Sequence, residues 1–251
     1  AKDGTPLAGG RALKTPFGTF YGPNITPDPV HGIGGWTDAQ FIAALRWGEA
    51  PDGSNLYPVF PYTSFTLMSD SDILDLKAYL FSLPPAPDAD RPHDVAFPFG
   101  WRFLLTPWKW LNFSPGPFEP DPDRSAEWNR GAYMVNAVGH CGECHTPRGW
   151  LGEMRTSVAL SGNPEGPDGM KAPNITPDPA TGIGGWTKGQ IVTVLRSGLL
   201  PDGDVVGSAM GEVVENSTSK LTDADRAAIA TYLMSLKPVR NDRAKATQPG
   251  F

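Results

Sequence analysis

Residues 141–145 read Cys141-Gly142-Glu143-Cys144-His145 and contain both cysteines of the 251-residue chain. A bare C-x-x-C suits a redox dithiol or half of a zinc site, but the sequence has no second C-x-x-C to complete a four-sulfur set. The histidine that follows changes the reading, because C-x-x-C-H is the attachment signature of c-type haem. Two thiols separated by two residues reach the two vinyl groups on one edge of a porphyrin, and the next residue projects beneath the iron. His145 is therefore the expected proximal ligand, with one imidazole nitrogen on iron and the other donating to a backbone carbonyl. Thioether formation at Cys141 and Cys144 leaves no thiol for a disulfide.

Composition agrees with a loop-rich fold wrapped around something central. The 29 glycines and 27 prolines fall between periodic segments, with no low-complexity tract, so they read as ordered loops. A net charge of −6 without long runs of either sign argues against a nucleic-acid partner. No run of eighteen apolar residues exists, and the opening Ala-Lys-Asp-Gly is neither a signal peptide nor an anchor, so the expectation is a soluble mature chain or fragment.

Outward from the motif, the chain repeats itself. Residues 23–40, PNITPDPVHGIGGWTDAQ, match residues 173–190, PNITPDPATGIGGWTKGQ, at fourteen of eighteen positions. The match resumes, shifted by three residues, in SDSDILDLKAYLFSL (69–83) and TDADRAAIATYLMSL (222–236). The expected organisation is a first domain over 1–90, a proline- and aromatic-rich linker over 91–124, and a second domain over 125–251. Thr37 and Thr187 read as helix N-caps, while Ser69 with Asp72 and Thr222 with Asp225 resemble capping boxes. Ser125 caps a further helix through Trp128, Ala132 and Val135 into Val138. Mapping the haem motif back by one repeat places its counterpart before Ala1, so the first domain lacks its own C-x-x-C-H here. Two explanations stay open, a segment absent from the sequence or a domain that lost its haem, and the similarity of the loops favours the first.

A helical haem domain usually completes its iron with methionine, whose soft thioether favours the ferrous state. Met210, read as lying in a flexible loop twelve residues before Thr222, is the expected ligand of the second domain. Its counterpart in the first domain is Phe60, which cannot bind iron, so Met68 is the candidate there. Met134 and Met234, inside helices, read as core filler. His31, His93 and His140 read as surface or loop residues.

Together CGECHTPRG, the twin PNITPDP and GIGGWT blocks, and MGEVVENSTSKLTDADRAAIATYL resemble the diheme and triheme cytochrome c subunits of bacterial periplasmic dehydrogenases of the alcohol and gluconate type. The resemblance implies an all-α fold of two tandem class I cytochrome c domains, short helices and long loops wrapped around haem. It implies haem c as cofactor, one at Cys141–His145 and a second in the first domain. It also implies that Trp186, Asn174 and Arg196, and likewise Trp36, Asn24 and Arg46, contact haem propionates, against the plainer reading of loop packing. The implied role is periplasmic electron transfer between a dehydrogenase and a respiratory acceptor, without catalysis by the chain itself. A catalytic diheme enzyme, of peroxidase or thiosulfate dehydrogenase type, is the alternative. The aromatic stretch FPFGWRFLLTPWKWLNF (97–113) reads either as an interdomain packing surface or as a patch for peripheral membrane or dehydrogenase contact.

Overall fold

Thr37 and Thr187 open equivalent helices in the two repeats, α1 (Asp38–Trp47) and α7 (Lys188–Ser197). In the computed structural model, which describes residues 5–166 and 169–246 with the backbone alone at 208, both caps are reciprocal. Each threonine hydroxyl accepts from the amide of Gln40 or Gln190, and each glutamine side chain returns to the cap amide. Gly48 and Gly198 end these helices in the left-handed conformation. The opening Ala-Lys-Asp-Gly lies outside the described residues. The chain divides into two compact units with the main boundary between Phe118 and Glu119. It is mostly helical.

The first unit corrects the all-α expectation. Strands β1 (Ala12–Thr15), β2 (Gly18–Tyr21) and β3 (Asp94–Val95) form one antiparallel sheet in that order. Leu13 stands opposite Phe20, and Thr15 opposite Gly18. Pro16-Phe17 make the turn, and the Thr15 hydroxyl holds it by donating to Gly18 O (3.0 Å) and accepting from Phe17 N (3.1 Å). Four-residue strands show too little alternation to be read from sequence, and β3 arrives from more than seventy residues away.

Helices α1, α2 (Tyr62–Phe65) and α3 (Asp70–Phe81) complete the first unit around Phe20, Phe41, Leu45, Tyr62, Met68 and Ile73. Ser69 caps α3 through the amide of Asp72 (3.1 Å). The proline- and aromatic-rich stretch after residue 91 is ordered against this unit. Besides β3 it carries a 3-10 turn running into α4 (Leu105–Asn112), where Lys109 Nζ donates to Trp47 O (2.7 Å) and Gly48 O (2.9 Å). Phe97, Trp101, Phe103, Trp110 and Leu111 remain exposed.

In the second unit α5 (Ala126–Tyr133), capped by Ser125, runs into a π-helical turn over Met134–Val138 and then into the short α6 (Gly142–His145). Helices α8 (Ser208–Asn216) and α9 (Asp223–Ser235) follow α7. The α5–α9 crossing is set by Gly131, where a Cβ would fall 2.0 Å from Ala228 O. Only glycine permits that approach. Around it Trp128 Nε1 donates to Ser235 Oγ (2.6 Å), Arg130 pairs with Asp225 (2.7 Å), and the Trp128 and Tyr232 rings meet edge to face. The core gathers Met134, Val135, Leu160, Ile183, Ile191, Leu195, Ile229 and Leu233. Met234, expected beside Met134 as core filler, is instead 44% exposed, because it falls on the outer side of α9.

The repeated loops agree bond by bond. Asp28 and Asp178 each close a turn by accepting amides two and three residues on. Ile33 N donates to Thr26 O and Ile183 N to Thr176 O, both at 2.9 Å. The likeness extends upstream of the readable repeat: Leu7 (φ 65°) and Leu160 (φ 60°) share a left-handed backbone and accept Ile25 N and Ile175 N, both at 3.0 Å.

Candidate haem-attachment site

The site is built on one helical turn. The amide of His145 donates to Cys141 O (2.9 Å) and that of Cys144 to the same carbonyl (3.3 Å), which places the two sulfurs three residues apart on one side. Neither cysteine is in a disulfide. Burial, and secondarily the neighbouring Cys144, pushes the Cys141 thiol up to about 11. Burial and then Glu143 raise Cys144, with Arg148 opposing them. Both groups are thus protonated thiols near neutrality. The π-helical turn, in which Gly139 N reaches back to Met134 O (2.7 Å), delivers the chain into this turn. Such insertions are frequent at functional sites, and nothing in the sequence announced this one.

His145 is 9% exposed, and its Nδ1 lies 2.7 Å from Pro173 O. A carbonyl only accepts, so Nδ1 carries the proton and Nε2 is the lone-pair nitrogen. Burial depresses the histidine's pKa against the opposing bond to Pro173, favouring this neutral form. The surrounding loops fix the ring: Gly162 N donates to His145 O (2.7 Å), and Leu160 N to Thr146 Oγ1 (3.0 Å). Cys141, Ile175 and Trp186 pack against the apolar core of the unit. Two reduced thiols on one turn, a neutral imidazole held by its other nitrogen, and an apolar surround are the donor set and environment that haem c requires.

The other sequence candidates divide. Met210 lies within α8 and is half-buried, not in a flexible loop. Gly207 starts that helix, and Met210, Val213 and Val214 follow a helical period that the glycine-rich context had obscured. Met68 is 5% exposed, between α2 and the cap of α3, while the Phe60 ring packs on Phe65 (5.6 Å).

The asparagines and arginines implied as propionate contacts have protein partners in their own loops and helices. Asn174 is fully buried, donates to Thr181 Oγ1 (3.0 Å) and Val239 O (2.7 Å), and accepts from both the amide and hydroxyl of Thr176. Asn24 does the same through Ala86 O (2.8 Å), Asp88 O (2.9 Å) and Thr26. Arg46 is buried against Thr66 O and Asp70 (2.5 Å), and Arg196 pairs with Asp223 (2.6 Å), the matching position. Trp36 contributes its carbonyl to Lys77 Nζ (2.9 Å).

One pair escaped the sequence reading. Arg148 gives Nη2 to Glu143 O (2.8 Å) and Glu143 Oε2 (2.5 Å), and Nη1 to Gly152 O (3.1 Å). Glu143 stands between the two cysteines and is 8% exposed.

No family model matches the chain. A diheme cytochrome c-type protein of Cereibacter sphaeroides is 50% identical over 228 residues, covering 90% of this chain and 75% of that protein. The cytochrome c subunit of a quinone-type alcohol dehydrogenase from Gluconacetobacter polyoxogenes is 43% identical over 248 residues, 95% of this chain and 52% of its own length. The cytochrome subunit of fructose dehydrogenase from Gluconobacter japonicus is 41% identical over 237 residues, 94% and 48% respectively. The chain thus spans about half the length of these dehydrogenase subunits. With a C-x-x-C-H turn at its centre and a diheme relative aligned over most of both chains, this protein belongs to the diheme c-type cytochromes.

Proposed function

We propose that the chain transfers electrons in the bacterial periplasm, between a dehydrogenase and a respiratory acceptor, as a diheme cytochrome rather than an enzyme. The carrying observation is the Cys141–His145 turn, with two protonated thiols on one side and the imidazole pinned through Nδ1 to Pro173 O at 2.7 Å. Cys141 and Cys144 would hold haem c by thioethers, His145 Nε2 would be the proximal ligand and Met210 the distal one. Haem c, when bound, supplies a one-electron ferric–ferrous couple. The chain's own part is to attach it, hold the proximal imidazole neutral and correctly turned, and surround it with the apolar side chains of the second unit. Among the described residues no helix is long and apolar enough to cross a membrane. The names of the aligned relatives, cytochrome subunits of alcohol and fructose dehydrogenases, support a dehydrogenase as donor.

The first unit repeats the frame of the second. Pro23 occupies the place of Pro173, and Leu7 and Ile25 keep the bond made by Leu160 and Ile175. This supports two tandem class I cytochrome c domains and a haem in each, with Met68 as the distal ligand of the first. Haem stoichiometry on protein matured in a periplasm from its complete gene tests the proposal, by intact mass and reduced-haem absorbance. Two covalent haems are expected. One would leave the first unit haemless, and none would end the electron-transfer reading.

A further inference from the structure

The Glu143–Arg148 pair does more than close a loop. Glu143 lies within the attachment turn itself, one residue from Cys144 and two from His145, with its side chain only 10% exposed. Arg148 is three residues beyond His145 and retains 30% side-chain exposure. One guanidinium nitrogen holds both the backbone carbonyl and the carboxylate of Glu143, so the positive charge is fixed beside the negative one. Arg148 thus sets a positive charge directly against a nearly buried carboxylate within the attachment turn.

We propose that Arg148 is a positioning residue that neutralises Glu143, so that the reduction potential of the second haem is set by the pair's near-cancelling charges. The inference rests on haem c being attached at Cys141 and Cys144. Ferric haem carries one more positive charge than ferrous, so a lone carboxylate favours the ferric state and lowers the potential, while a lone guanidinium raises it.

The test is a charge cycle on the holoprotein, by mediator-coupled redox titration. The couple followed is the one absent from a C141A/C144A variant. E143Q should raise the potential, R148M should lower it, and E143Q/R148M should return it close to wild type. R148K, which keeps the charge but loses the fork of bonds, should leave the potential near wild type and lower the melting temperature. Single variants that shift the potential in the same direction, or leave it unmoved, would overturn the proposal in favour of a plain loop staple. Wild-type protein carrying no haem on Cys141 and Cys144 would instead count against the cofactor reading.

Discussion

His145 shows how much one side chain depends on its neighbours. Its imidazole is oriented by a carbonyl twenty-eight residues away, and its backbone oxygen by Gly162. The proposed distal ligand, Met210, is the better place for a functional test at this scale, because it lies in α8, outside the attachment turn. With Met210→Ala, one haem is expected to fall in potential and to bind carbon monoxide or cyanide rapidly, and wild type is expected to resist both. Unchanged spectra and ligand resistance would reassign the distal ligand. Asn174 and Asn24 depend on distant neighbours in the same way. Each side-chain amide donates to a carbonyl more than sixty residues on, Asn24 to Ala86 O and Asn174 to Val239 O. Leaving such buried partners unsatisfied costs about 1–3 kcal/mol, which is how a single amide holds a loop in place.

At the level of elements, the α5–α9 crossing carries the second unit. Gly131→Ala must push a methyl into Ala228 O, and overpacking of this kind costs about 1–3 kcal/mol or more. Its melting temperature should drop by several degrees relative to wild type, with α5 loosened ahead of the attachment turn. The same crossing contains a pH-sensitive tie. The bond from Arg130, and then that from Thr222, hold the Asp225 carboxyl below its ordinary value of 3.8. A depressed carboxyl pKa contributes stability that is present above the unfolded value and lost as pH falls through the folded one. Thermal melts of wild type and Asp225→Asn should therefore differ near neutrality and converge below pH 3.8. A constant gap across that range would show that Asp225 stabilises by packing alone. Elements were unevenly legible: the capped helices α1, α3, α7 and α9 announce themselves by threonine or serine followed by helical periodicity. The β-hairpin, α8 and the π-helical turn do not, being short or dependent on distant contacts.

For the whole molecule, the duplication is the governing fact, and its consequence is stoichiometric. Two units built on the same loop bonds predict two haems of different potential, resolved as two one-electron steps in a redox titration of the mature protein. A single step with one haem by mass would confine the function to the second unit. The sequence by itself determined the C-x-x-C-H turn with its histidine, the repeat and the main helix caps. Each of these is written in contiguous residues whose chemistry acts locally, through a thiol spacing, a hydroxyl reaching three residues on, or a helical period. Tertiary structure alone decided that Pro173 supplies the carbonyl for His145, that Arg148 lies against Glu143, and that the repeat's asparagines latch loops. It also brought β3 back to β2. Those outcomes depend on which polar groups the folded chain buries beside one another, and each buried group takes the partner that three-dimensional proximity provides.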